Sequence, residues 1–179
     1  KKRLGFRMDR IERHEKSALY VHVAIAPTKS LDRFGFFMEK AIEIGVQRIT
    51  PLLTKNSERK VINIDKLRKS ALSALKQSGN LFLPQIDDLT AFDKFATETH
   101  EPMHCFIAHC ETDGEKTLFK NAINGEKNVL ILIGPEGDFT NEEINLAKQN
   151  GFLPVSLGES RLRTETAGIV ACHTVNLIS

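Results

Sequence analysis

Three short stretches near the C-terminal end carry the residue types from which a reaction centre is built. They are Gly134-Pro135-Glu136-Gly137-Asp138-Phe139, the turn at Leu157-Gly158, and Arg161-Leu162-Arg163-Thr164-Glu165-Thr166-Ala167. Glu136 and Glu165 are carboxylates that can accept a proton or orient a cation. Arg161 and Arg163 precede a predicted helix start, where the macrodipole already favours negative groups, so a phosphate or a developing anion is stabilised there. Glu165 falls in the first helical turn; the dipole that would tune it for chemistry also suits a helix-stabilising residue or an arginine partner. The glycines let a backbone come close to a ligand, and Pro135 stiffens the first turn. Each signal alone is common at strand ends.

Positioning such turns takes a sheet. Val129-Leu130-Ile131-Leu132-Ile133 is an unbroken apolar run, as expected of a parallel strand covered on both faces. After the turn, Thr140 with Glu143 predicts a capping box for a helix through Asn150, ended by Gly151. A short strand over Pro154–Gly158 follows, then a last helix capped by Thr164. Upstream, Phe34, Phe37, Met38, Ala41 and Ile42 recur at helical spacing, with Gly45 to stop them. A strand is expected over Arg48–Leu53, where Pro51 suggests an edge or a bend. Asp65 is the expected cap of a second helix that carries Leu67, Ala71 and Leu75 and closes at Gly79. Shorter strands are expected over Leu83–Ile86 and Met103–Ala108, and short helices over Ala91–Glu98 and Lys116–Ile123. Strands alternating with helices predict an open α/β sheet, on which ligands sit beyond the carboxyl ends of the strands. Residues 1–25 read differently, as strands over Leu4–Met8 and Ala18–Ile25 joined by the charged Asp9–Ser17 loop, too few to be stable alone.

Bulk composition narrows the class. The chain has 179 residues, 41% hydrophobic and 27% charged, enough for one full domain plus part of another. No apolar run approaches the roughly 18 residues that a membrane span needs. The start, Lys1-Lys2-Arg3-Leu4-Gly5-Phe6, has neither an initiator Met nor a signal-peptide core and reads as the interior of a longer protein. Net charge is only +2. Basic residues nevertheless cluster over Lys1–Lys16 and at Lys55, Arg59, Lys60, Lys66, Arg68, Lys69 and Lys76, a pattern that either tracks phosphates or faces solvent. Cys105, Cys110 and Cys172 form no CxxC pair, so no disulfide scaffold is expected and a reducing cytoplasm fits. His104, Cys105, His109 and Cys110 are soft ligands, but on a strand His104 and Cys105 face opposite sides. A buried strand running into a loop is the preferred reading, and no metal is expected.

In order and spacing, Ile133–Phe139, Leu157-Gly158 and Leu162–Ala167 resemble the signature of the RsmE-type 16S rRNA uridine N3-methyltransferases of the SPOUT superfamily. Pro27-Thr28-Lys29, Arg33, Glu39-Lys40-Ala41, Glu43-Ile44-Gly45-Val46 and Ser57-Glu58-Arg59 agree, so the resemblance covers essentially the whole chain. It implies an α/β SPOUT domain over residues 27–179, with an open, mostly parallel sheet and a C-terminal trefoil knot. Residues 1–26 would then be the remaining strands of an N-terminal PUA-like β-barrel that binds RNA. It also implies S-adenosylmethionine held by Leu53, Thr54, Ile133, Gly134, Pro135, Glu136, Gly137, Leu157, Gly158, Leu162, Arg163, Thr164, Thr166 and Ala167. RNA contacts would come from Lys29, Arg33, Arg59 and Arg161, in a homodimer acting on 16S rRNA of the small ribosomal subunit. One departure concerns Gln77-Ser78-Gly79-Asn80, where members often carry an RNA-contacting Arg in place of Asn80.

Uridine N3 is a poor nucleophile until its proton leaves. The expected catalytic set is therefore Arg163 to stabilise the uracil anion, with Glu165 or Glu136 to take the proton or to orient Arg163. Two rivals stand beside this reading. One is a SPOUT-fold RNA-binding or ribosome-assembly module without turnover. The other is an α/β enzyme for a phosphate-bearing nucleotide, against which the chain shows neither GxxxxGK(S/T) nor GxGxxG.

Overall fold

The computed structural model describes residues 5, 7–15, 17–110 and 116–178. In chain order its elements are β1 (Tyr20–Ile25), α1 (Leu31–Ile44), β2 (Arg48–Leu53), α2 (Ile64–Ser78), β3 (Gln85–Ile86), β4 (Thr90–Ala91) and α3 (Phe92–Thr97). Then come β5 (His104–Ala108), β6 (Thr117–Leu118), α4 (Phe119–Ala122), β7 (Asn128–Ile133), α5 (Asn141–Gln149), β8 (Leu153–Ser156) and α6 (Thr164–Ile178).

The apolar run of β7 occupies the middle of the sheet, whose order is β3-β2-β1-β7-β5-β8-β6, with β4 beside β2. All of these pairings are parallel, and β7 pairs along its whole length with β1, from Tyr20 opposite Asn128 to Ile25 opposite Ile133. Alternation along the strands then divides the core into two layers. Val21, Val23, Ile25, Val129, Ile131 and Ile133 face one side, where Phe34, Phe37 and Met38 of α1, Phe119 of α4 and Ala171, Cys172 and Val175 of α6 bury them. Ala24, Leu130 and Leu132 face the other, against Phe92 and Phe95 of α3, Phe139, Ile144 of α5 and Phe152. Helices on both faces are what lets a parallel sheet read as continuous apolar sequence.

α6 lies very close to this sheet. A Cβ on Gly168 would stand 2.5 Å from Cε2 of Phe37 and 2.9 Å from Cδ1 of Ile25, so only glycine permits the approach. That contact fixes where the start of α6, with Thr164 and Glu165, sits relative to β1 and β7.

Several expectations shift. Tyr20–Ile25 is not a barrel strand; it hydrogen-bonds in parallel to both β2 and β7 and belongs to the α/β sheet. Its alternating apolar side chains serve either assignment equally in sequence, and only the partner strands decide. The sheet therefore begins before residue 27. Of the strand expected over Leu4–Met8, Leu4 and Phe6 lie outside the described residues, and Gly5, Arg7 and Met8 form no strand. Lys1, Lys2, Arg3 and Lys16 of the first basic cluster also lie outside them. α2 is capped by Asn63, whose side chain accepts from the Lys66 N–H, and not by Asp65, which sits in the first turn. Thr164 is the first helical residue of α6, not its cap: its hydroxyl donates to the Gly134 carbonyl. Pro51 is interior to the sheet. It falls between the β3 pairing at Arg48 and Ile49 and the β4 pairing at Leu52 and Leu53, so its missing N–H breaks no ladder. The capping box of Thr140 and Glu143 forms as expected, and Gly45 and Gly79 close α1 and α2.

Candidate functional site

Parallel strands all present their carboxyl ends on the same side. Beyond the ends of β5, β7 and β8, beside the start of α6, opens a cavity of about 540 Å³. Three chain segments wall it.

The first wall is the loop from β7 to α5. The Gly134 carbonyl accepts from Thr164 Oγ1 at 3.1 Å, which ties the loop to α6. Glu136 accepts the Lys29 N–H on Oε1 at 3.0 Å, whereas its Oε2 is buried with no hydrogen-bond partner among the described residues. The carbonyls of Gly137 and Asp138 accept from Asn56 Nδ2 at 3.2 and 3.0 Å. Asp138 has φ +62°. Its carboxylate accepts from the Cys110 N–H at 2.7 Å and the Phe139 N–H at 2.8 Å. Behind this loop the Glu143 carboxylate, 2% exposed, accepts the Lys55 and Thr140 N–H groups at 2.8 and 2.9 Å.

The second wall runs from Val155 and Ser156 of β8 through Leu157–Arg163. Ser156 Oγ donates to the Gly158 carbonyl at 2.8 Å and accepts the Gly158 N–H at 3.2 Å, holding a turn in which Gly158 has φ +138°. Arg161 Nη2 reaches the Glu136 carbonyl at 3.4 Å and spans the two walls. The third wall is the end of β5, Ala108, His109 and Cys110, where Lys116 Nζ donates to the His109 carbonyl at 2.9 Å. Burial and the neighbouring Asp138 carboxylate hold the Cys110 thiol above its ordinary range, against the opposing charges of Arg161 and Lys116.

Ile133, Gly134, Pro135, Glu136, Leu157, Gly158, Leu162, Arg163, Thr164 and Ala167 all line this cavity, as does Arg161. Gly137 and Thr166 do not, nor do Leu53 and Thr54. The Thr54 hydroxyl is 2.9 Å from Ser57 Oγ in its own turn, and this segment buttresses the first wall from behind through Asn56. Glu165 also lies outside the cavity: Oε1 is 3.9 Å from Arg33 Nε at the start of α1, and Oε2 is buried without a hydrogen-bond partner among the described residues. Lys29 pairs with Glu58 at 2.8 Å, and Arg59 donates to the Thr28 and Lys29 carbonyls. These two residues thus brace the loop after β1. Asn80 is at the opposite end of the sheet, bonded to the Ile42 carbonyl, far from the strand ends that form the cavity.

Asp138, Lys116 and the His109-Cys110 pair were not singled out from sequence as lining residues. Their signal is the rule that ligands gather at strand carboxyl ends, but applying it requires knowing that β5 lies between β7 and β8.

A family model described as RNA methyltransferase domain matches residues 15–176. Ribosomal RNA small subunit methyltransferase E of Rickettsia conorii is 30% identical over 166 residues, 92% of this chain and 66% of the relative. The chain belongs to the RsmE-type RNA methyltransferase family. It spans about two thirds of the length of the curated relatives it matches. Among solved structures, a probable rRNA-methyltransferase from Porphyromonas gingivalis is 38% identical with a TM-score of 0.81, over 89% of this chain and 67% of that one. A protein from Legionella pneumophila, solved in complex with bound cofactor SAM, is 32% identical with a TM-score of 0.84, over 93% of this chain and 69% of that one. The RsmE-type family thus agrees with the parallel α/β sheet found here. Among the described residues no helix is long and apolar enough to cross a membrane, and no cluster of three or more His, Cys, Asp or Glu could hold a metal ion.

Proposed function

We propose that this RsmE-type chain takes part in methylation of uridine N3 in 16S rRNA of the small ribosomal subunit, with S-adenosylmethionine as donor. The observation that carries the reading is the cavity itself. Its 540 Å³ falls in the range of about 300–1,000 Å³ usual for small-molecule sites. Apolar Ile133, Leu157, Leu162 and Ala167 line it beside carboxylates of Glu136, Asp138 and Glu159 and cations of Lys116, Arg161 and Arg163. Such mixed charge suits a zwitterion with an aromatic base better than a polyphosphate, which would favour the nucleotide rival. Ile133–Glu136, Leu157-Gly158, Leu162, Thr164 and Ala167 would hold the donor, and Arg163 would face the acceptor base.

When bound, S-adenosylmethionine supplies a methyl group on a positively charged sulfur. The chain's own residues then have two tasks. The Glu136 carboxylate, which lines the cavity, takes the N3 proton of the uracil, and the exposed guanidinium of Arg163 stabilises the anion that results. Glu165, turned to Arg33, orients the start of α6. Arg161, at the rim, meets an RNA phosphate. The non-catalytic rival lacks an observation in its favour.

The same reading extends to architecture. From β8 the chain returns past β5 so that Thr164 bonds Gly134 at the end of β7, the course that a trefoil knot takes. Leu177 and Ile178 of α6 are exposed and apolar, as a homodimer contact would require. Residues preceding β1 would continue into the PUA-like barrel, with Lys29, Arg33 and Arg59 bordering the RNA. The free cysteines fit a cytoplasmic location.

Thermal unfolding with S-adenosylmethionine, ATP or NAD tests the ligand: at a hundred times its Kd the true ligand stabilises by about 2.7 kcal/mol. Arg163→Ala is expected to cut methyl transfer about a hundredfold or more while leaving cofactor affinity nearly unchanged. Equal losses in both would make Arg163 a pocket residue and overturn its catalytic assignment.

A further inference from the structure

We infer that Asp138 is a positioning residue that latches the end of β5 to the loop after β7 and so sets the width of the cavity; this rests on the proposed S-adenosylmethionine site. Asp138 holds φ +62°, the left-handed region that few residues besides glycine occupy and that Asp and Asn tolerate best among them. Such a conformation persists where the surroundings over-determine it, and it gathers at binding sites. The surroundings here are specific. One carboxylate oxygen accepts the Cys110 N–H at 2.7 Å, across 28 residues of chain, and the other accepts the Phe139 N–H at 2.8 Å.

The position also governs the floor of the cavity. Oδ1 lies 3.3 Å from where a Cβ on Gly134 would be, and the Phe139 ring lies 3.1 Å from it, so the carboxylate and the ring close over Gly134. Phe139 is buried in the second core layer, which anchors one end of the latch. The other end, Cys110, is exposed and lies two residues beyond the last β5–β7 pair, Ala108 with Ile133, so Asp138 extends the tie between the two walls past the ladder. Both bonds are charge-assisted and short, the stronger class of hydrogen bond. A glycine at this position would suit the backbone better. The carboxylate therefore serves the turn through Phe139 and, across the chain, the bond to Cys110 that a glycine would lack.

The test compares wild type, Asp138→Gly and Asp138→Asn by calorimetric titration with S-adenosylmethionine and by thermal unfolding without ligand. Asp138→Gly is expected to bind about tenfold more weakly, the size of one charge-assisted hydrogen bond, and to melt only slightly below the wild type, because relief of the left-handed backbone offsets part of the lost bonding. Asp138→Asn, which keeps an acceptor and tolerates the backbone, is expected to recover most of the affinity. Wild-type affinity in Asp138→Gly overturns the latch and leaves the proposed function intact. So does a melting temperature that falls in step with affinity, since that marks a structural residue only. A wild type that binds no S-adenosylmethionine overturns the proposed site and the latch with it.

Discussion

Two loops face each other across the cavity, and they are held in opposite ways. Gly134–Phe139 is tied from distant parts of the chain: by Lys29 through Glu136, by Asn56 through two carbonyls, by Cys110 through Asp138 and by Thr164 through Gly134. Gly158–Arg163 is held by Ser156 within its own turn and by the 3.4 Å contact of Arg161 with the Glu136 carbonyl, and Gly158, Glu159, Ser160, Arg161 and Arg163 are exposed. One wall is preorganised, so a ligand meets it without an ordering cost. The other carries the cations of Arg161 and Arg163, and its tips stand in solvent. A cross-linked wall facing a lightly held, cationic one is a division that sequence spacing does not show.

The largest effect should come from the rigid side. Glu143→Ala strips the acceptor from the Lys55 and Thr140 N–H groups and undoes the capping box of α5, an expected loss of about 3 kcal/mol by urea unfolding. If it costs less than substitutions in the second wall, the comparison breaks.

A pH-sensitive group lies outside both walls, in β1, and gives the contrast a reference. His22 of β1 is held at about 3 by burial and the nearby Arg48 charge, with His100 adding to the effect and Asp87 opposing it. Its Nε2 is 2.7 Å from Thr50 Oγ1, and Thr50 in turn bonds Asp87, which also accepts from Arg48. The folded-state value lies below the ordinary 6.5, so between about 6.5 and 3 the unfolded chain binds the extra proton. Stability from this residue is complete above 6.5 and falls with acidification by at most about 1.4 kcal/mol per pH unit. Urea midpoints measured from pH 7 to 4 should show that slope in the wild type and a flatter one in His22→Gln.

The smallest effect belongs to the second wall. Gly158→Ala meets no neighbour within 4 Å but must hold φ +138°, a strain of about 1 kcal/mol. Its stability change should be slight and its loss of S-adenosylmethionine affinity clear by titration. A variant that binds normally would show that this turn does not shape the site.

Much of the site was legible because it is local. The capping box, the Gly134–Phe139 turn and the arginines before α6 are read from neighbours a few residues apart, where hydrogen-bond geometry is set by spacing alone. Their likeness to a known signature then named the ligand and reaction to test. Glu165 could not be assigned that way: its position at a helix start is local, but whether it faces the cavity or Arg33 depends on how α6 lies against α1. Leu53 and Thr54 fail for the same reason, being near the site but behind its wall.

By itself the sequence determined the alternation of strands and helices, the buried central strand and the chemistry-bearing turns, because apolar periodicity and capping are local properties. Tertiary structure alone decided that Tyr20–Ile25 joins the α/β sheet, that β5 supplies the third wall and that Asp138 reaches Cys110. Those are choices of partner among distant segments. The physical reason is that a strand's pattern shows which face it buries and not which strand lies beside it, whereas a cavity is made by neighbours.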